Sequence, residues 1–145
     1  MVAGTPLEGL ILSINYLSVM KLLNNLYSIQ SHDPDNRSFT VRLLADSPVF
    51  KAHFPGMPIM PGVCIMQTAS ELLETLLGRH CELSHASNVK FLRVINPAET
   101  PEVTFIFRKI EPDETTGLTK VTAEASSAAG VMTKMSLFYK TSIKI

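Results

Sequence analysis

The sequence predicts an α+β domain in which an antiparallel sheet wraps around one long central helix. Two patterns carry this expectation. Apolar residues recur at three- and four-residue steps through 61–77, the period of an amphipathic helix. On either side they fall into short, alternating segments punctuated by turn residues. A helix with an apolar stripe has to bury it, and a curled antiparallel sheet is an economical cover.

Segments 26–32 and 38–44 read as strands joined by the turn Asp33-Pro34-Asp35-Asn36. In the second, Phe39, Val41 and Leu43 alternate with Thr40 and Arg42, as in a half-buried strand. From 48 to 62 the density of proline and glycine stiffens the backbone and disfavours helix or sheet. Ile65, Met66, Ala69, Leu72, Leu73 and Leu76 define the helix. Pro61 suits its first turn, and Gly78 followed by Arg79 and His80 suits its end. Four more strands are expected over 88–95, 102–110, 120–128 and 131–140, the last two joined by a hairpin at Ala129-Gly130.

With 145 residues the chain can build one proper core. Lys+Arg and Asp+Glu balance at 13 each, so bulk charge points to neither nucleic acid nor a membrane surface. Apolar residues make up 46%, a composition that favours oligomers. The two cysteines, Cys64 and Cys81, are too few for a disulfide framework and show no metal-ligand spacing, so free thiols and no metal are expected. The apolar stretch 7–19 is interrupted by Glu8 and Asn15 and is too short to span a bilayer. Residues 1–19 are expected to be an extension with no bearing on function, and 20–145 the domain. A cytoplasmic protein without a membrane span is the expectation.

The stretch His53-Phe54-Pro55-Gly56-Met57-Pro58-Ile59-Met60-Pro61-Gly62-Val63 places a histidine in a proline-stiffened loop that runs directly into the helix. It resembles the signature of bacterial 3-hydroxyacyl-[acyl-carrier-protein] dehydratases of the FabZ/FabA type. Lys90-Phe91-Leu92-Arg93-Val94-Ile95-Asn96-Pro97 resembles the strand and turn that follow in that family, and the strand order resembles its hotdog fold. The resemblance covers about residues 20–145. It implies that His53 is the general base, or acid and base in turn. The backbone N–H groups of Gly62 and Val63 would polarise the thioester carbonyl, and Phe54, Pro55, Gly56, Met57, Met60 and Met66 would line the substrate site. It further implies acyl carrier protein as partner, docking on basic residues such as Lys51, Lys90 and Arg93. A homodimer or trimer of dimers is implied, each site drawing residues from two chains, with no cofactor. The His53–Phe54 peptide is a candidate for the cis form.

The chemistry fits these residue types. Elimination from a 3-hydroxyacyl thioester removes an α-proton and expels water, so a base titrating near neutrality is needed, which favours histidine. Enolate charge develops on the thioester oxygen, where free amides at a helix start stabilise it. One position departs from the family. Where the resemblance implies a carboxylate from the partner subunit that protonates the departing hydroxyl, this chain has Gln67. An amide orients a hydroxyl or a water but has no titratable proton. Glu71, one turn further, is the alternative acid. On a helical wheel Gln67 shares its side with Cys64, Glu71 and Glu74, opposite Ala69, Leu73 and Leu76, and for Glu74 this reads as an ordinary polar face. Cys64 reads as a small packed thiol, although a helix start would lower its pKa. His32, His80 and His85 read as surface or turn residues.

The expected function is therefore dehydration of 3-hydroxyacyl carrier protein to the trans-2-enoyl product in fatty-acid or related acyl-chain biosynthesis. Three alternatives stand beside it: an acyl-CoA or acyl-carrier-protein thioesterase in which Gln67 orients water, an incomplete subunit that pairs with a glutamate-bearing paralogue, and a non-enzymatic carrier-protein binder.

Overall fold

The computed structural model describes residues 21–48, 51, 56 and 59–143. Residues 1–20, with the expected extension, and most of the loop 49–58, including His53, Phe54, Pro55 and Met57, lie outside the described residues. So does the His53–Phe54 peptide.

The element order is β1 (Tyr27–Asp33), β2 (Ser38–Leu43), α1 (Gly62–Leu77), β3 (Arg79–Phe91), β4 (Glu102–Asp113), β5 (Leu118–Ser127) and β6 (Gly130–Ile143). The strands form one six-stranded sheet in the order β1-β2-β4-β5-β6-β3. Every neighbouring pair is antiparallel. This is the expected α+β architecture, the hotdog fold.

Period-two alternation builds the inner face. Phe39 and Val41 of β2, Val103, Phe105 and Phe107 of β4, Val121, Ala123 and Ala125 of β5, and Met135, Leu137 and Tyr139 of β6 are all buried. Across the sheet Phe105 faces Ala125 and Phe107 faces Ala123. Large and small side chains thus alternate along a row, which leaves room for the helix to settle between them. Each fully buried phenylalanine contributes about 1.5–3 kcal/mol. Ser70 on α1 and Tyr139 on β6 join their hydroxyls at 2.8 Å, fixing the helix over β6.

The helix ends where expected. Gly78 adopts φ 64° and its N–H donates to the Glu74 carbonyl at 2.9 Å, a left-handed cap that glycine adopts without strain.

Three expectations are corrected. The strand expected over 88–95 begins at Arg79 and ends at Phe91. Its first half is polar because the strand lies at the sheet edge, paired among the described residues only with β6, so only Cys81 and Leu83 are buried there. β4 continues to Asp113 through Pro112. β2 pairs with it only as far as Ile106, so the proline falls where β4 has no second neighbour and a missing N–H is tolerated. Finally, the polar side of α1 is not a solvated face: Gln67, Glu71 and Glu74 are all buried.

Candidate active site

The start of α1 is built from the loop that precedes it. The Met60 N–H donates to the Ile95 carbonyl at 2.6 Å and ties the incoming chain to the segment after β3. Pro61 is the N-cap residue, in extended conformation (φ −64°, ψ 151°), and it has no side chain to cap the helix. Its carbonyl accepts from the N–H groups of Cys64 (3.0 Å) and Ile65 (3.2 Å), the first bonds of the helix. Among the described residues no acceptor meets the N–H groups of Gly62 and Val63, and the first turn holds no acidic side chain. Two amide donors at the positive end of the helix dipole are therefore without an acceptor among the described residues, though Gly62 and Val63 are themselves buried.

An apolar cleft of about 200 Å³ opens beside them, lined by Met60, Gly62, Ile65, Phe91, Leu92 and Val94 among others. Leu92 and Val94 are 53% and 57% exposed, large apolar side chains left in the open at its mouth. Arg93 also lines the cleft and is exposed, as are Lys51 and Lys90. Lys134 stands in register with Lys90 across β3 and β6 and adds a cation that sequence order did not bring to attention. Of the expected substrate-lining residues Met60 reaches the cleft, Gly56 is exposed, and Met66 is fully buried in the core.

Behind this opening lies a buried polar cluster. Glu71 accepts four hydrogen bonds: from the backbone N–H of Leu22 (2.7 Å) and Leu23 (2.8 Å), the Tyr27 hydroxyl (3.0 Å) and Gln67 Nε2 (2.8 Å). Four donors fill the acceptor sites of a carboxylate, so Glu71 anchors the segment before β1 onto the helix. Burial, then the charge and hydrogen bond of Glu71, push the Tyr27 hydroxyl far above the usual tyrosine range, so it stays protonated and donates to Glu71. Gln67 is 2% exposed, and its Oε1 has no partner among the described residues.

Glu74 accepts from the Cys81 N–H (2.9 Å) and meets Lys21 Nζ (3.3 Å) and His80 Nδ1 (2.9 Å). Burial works to raise its pKa, but the Cys81 amide and the neighbouring Lys21 and His80 outweigh it and hold it below the usual carboxylate range. The Cys64 thiol goes the other way from the helix-start expectation: burial, helped by Glu71, pushes it up to about 12, which makes it inert. His32, His80 and His85 are exposed and lie on strands, His32 and His85 stacked on Phe39 and Phe138.

The chain is thus a hotdog-fold protein with an uncapped helix start, an adjoining apolar cleft and a buried polar cluster. The chain belongs to the ApeI-like family, described as ApeI dehydratase, whose model matches residues 29–129. Among known proteins it is 31% identical over 70 residues to the 3-hydroxyacyl-[acyl-carrier-protein] dehydratase FabZ of Latilactobacillus sakei subsp. sakei (strain 23K), covering 43% of this chain and 50% of that one. It is 27% identical over 114 residues to the FabZ of Syntrophomonas wolfei subsp. wolfei, covering 69% and 79%. The chain thus spans about half the length of the first of these relatives and more of the second. Solved structures share the fold. Thioesterase HI1161 from Haemophilus influenzae has a TM-score of 0.58 at 14% identity, covering 96% of this chain and 92% of that one. A variant of the HP0420-homologue from Helicobacter felis has 0.56 at 18%, covering 95% and 88%.

Proposed function

We propose that this protein dehydrates 3-hydroxyacyl thioesters carried on acyl carrier protein, giving the trans-2-enoyl product. The observation that carries this reading is the pair of amides at Gly62 and Val63, without an acceptor among the described residues, beside an apolar cleft in a chain of the ApeI-like dehydratase family. His53, in the loop leading to those amides, is the base that takes the α-proton. The electron pair of that C–H bond forms the double bond as the C–O bond at position 3 breaks. The leaving oxygen departs as water, taking up the proton the base has removed. The amides stabilise the enolate charge, and removing one such donor typically costs about 2.7–4 kcal/mol of the barrier lowering. Phe54, Pro55, Met57 and Met60 line the approach of the acyl chain. Lys51, Lys90, Arg93 and Lys134 form the face that meets the acidic carrier protein in the cytoplasm.

The unpaired edge of β3 supports a dimer in which two sheets join edge to edge. The test of the whole reading is conversion of 3-hydroxyacyl carrier protein to the enoyl product by purified protein, across short, medium and long chains. No product at any length refutes it.

One observation favours a second reading. Gln67 holds no titratable proton, Glu71 is taken up by four donors and Glu74 by the Cys81 N–H, Lys21 and His80, so the described residues of this helix offer no free acid. A paralogue bearing a carboxylate at the equivalent position would complete one of two shared sites. Activity that appears only on mixing with such a partner would establish this pairing, and robust activity of this chain alone would exclude it.

A further inference from the structure

We propose that the outer face of the sheet carries a second ligand site, a cleft between Lys120 and Glu111 that takes a free amino acid with an apolar or aromatic side chain. The cleft lies on the face turned away from α1, so the inference stands apart from the dehydratase reading and goes beyond it.

Strand register brings the site together. His85 of β3 pairs with Phe138 of β6, Phe138 with Lys120 of β5, and Lys120 with Glu111 of β4. Directly opposed residues of antiparallel strands share a face, so four side chains far apart in sequence form one row. Their chain neighbours Thr119, Val121, Leu137 and Tyr139 are buried on the inner face, which leaves the row on the outer one. Asp113 and Leu118, opposed two residues further along β4 and β5, join the same face. These six residues line most of a cleft of about 320 Å³. It is larger than the apolar cleft beside the helix start, about 200 Å³, and falls within the usual size of small-molecule sites.

The lining sets the chemistry of the ligand. The His85 ring lies on Phe138 at 4.4 Å with 10° between the planes, which fixes an aromatic wall. Lys120 and Glu111 stand opposite each other, yet no salt bridge joins them among the described residues. The Lys120 ammonium lies instead 6.0 Å from the centre of the Phe138 ring. The Glu111 carboxylate accepts no hydrogen bond among the described residues, and Asp113 uses only Oδ1, for the Thr115 N–H at 2.9 Å. One cation and two carboxylates thus face a single cleft without neutralising one another. A ligand with only a negative charge would meet Glu111 and Asp113, and one with only a positive charge would meet Lys120. A zwitterion satisfies both sides, its carboxylate at Lys120 and its ammonium at the two acids. Its side chain then rests on Leu118 and the Phe138 wall, where an aromatic ring adds stacking.

The test is an NMR titration of the full isotope-labelled chain with L-phenylalanine, beside 3-phenylpropanoate, 2-phenylethylamine and glycine. These three lack the ammonium, the carboxylate and the ring in turn. L-Phenylalanine is expected to bind with a millimolar or tighter dissociation constant and to move the amide signals of the β4–β5 hairpin and Phe138. Each truncated compound is expected to bind about tenfold more weakly or worse. Lys120→Met and Glu111→Gln change exposed side chains that the core does not need, and each is expected to weaken L-phenylalanine about tenfold. Phenylethylamine or phenylpropanoate binding as tightly as L-phenylalanine would reveal a site for a single charge and overturn the zwitterion assignment. No shift at about 20 mM L-phenylalanine, shifts confined to other parts of the fold, or affinity indifferent to both substitutions would overturn the site itself. None of these results bears on the dehydratase reading, which turnover of 3-hydroxyacyl carrier protein tests separately.

Discussion

Replacing Gln67 with glutamate (Gln67→Glu) would place a second carboxyl against Glu71, at the 2.8 Å contact now made by the amide. Two ionised carboxylates whose charge centres are about 4 Å apart repel by about 4 kcal/mol at an effective dielectric of 20. That repulsion disfavours the doubly ionised pair and raises one of its two titration steps above the ordinary glutamate range. The two carboxyls titrate as a coupled pair, so the proton belongs to both groups. A carboxyl kept protonated above its ordinary range beside the leaving hydroxyl is what general-acid catalysis uses, with a typical gain of about 10²–10⁴-fold. The assay is turnover of 3-hydroxyacyl carrier protein by the variant and the parent between pH 5.5 and 8.5. The expected result is a large gain that falls away as pH rises through the raised step of the pair. The folded pKa of the pair is raised above the unfolded value, so stability is fully present below the unfolded glutamate value and is lost as pH rises through the raised folded value. The variant's melting temperature should therefore drop through that window relative to the parent and level off above it. An unchanged rate with an unchanged pH profile would refute the placement of position 67 beside the reacting carbon. A stability that does not respond to pH would refute the close contact with Glu71.

Glu71→Ala removes the shared acceptor of four donors and is expected to cost about 2–4 kcal/mol, with faster hydrogen exchange at the Leu22 and Leu23 amides as the direct readout. Glu74 is held below the usual carboxylate range, so its contribution is present above that range and is lost as pH falls through the lowered folded value. Urea unfolding of the parent should weaken through that acid window, and Glu74→Gln should flatten the dependence. Cys64, with its thiol pushed up to about 12, should resist iodoacetamide at pH 8 in the folded protein and react only once urea unfolds it, as peptide mass mapping would show.

Local chemistry made much of the fold legible. The helix start at Pro61, its stop at Gly78, the turn at Asp33-Pro34-Asp35-Asn36 and the alternation of Phe39, Val41 and Leu43 each follow from the backbone preferences or side-chain period of nearby residues. The first half of β3 was not legible. Its sequence, Arg-His-Cys-Glu-Leu-Ser-His-Ala-Ser, has little strand character of its own and owes its conformation to pairing with β6, a contact far away in the chain.

The candidate site divides in the same way. By itself the sequence determined that a histidine-bearing, proline-stiffened loop runs into a buried helix with an uncapped start, because proline, glycine and helical periodicity act over a few residues. It also set the chemical identity of position 67 as an amide. Tertiary structure alone decided the surroundings of that amide. The helix's polar stripe, which by periodicity should meet water, is instead covered, and residues 22, 23 and 27 deliver their donors to Glu71 across more than forty positions of chain. Burial and hydrogen-bond partners are properties of assembled elements, so neither the buried carbonyl of Gln67 nor the inert thiol of Cys64 is written in any local pattern.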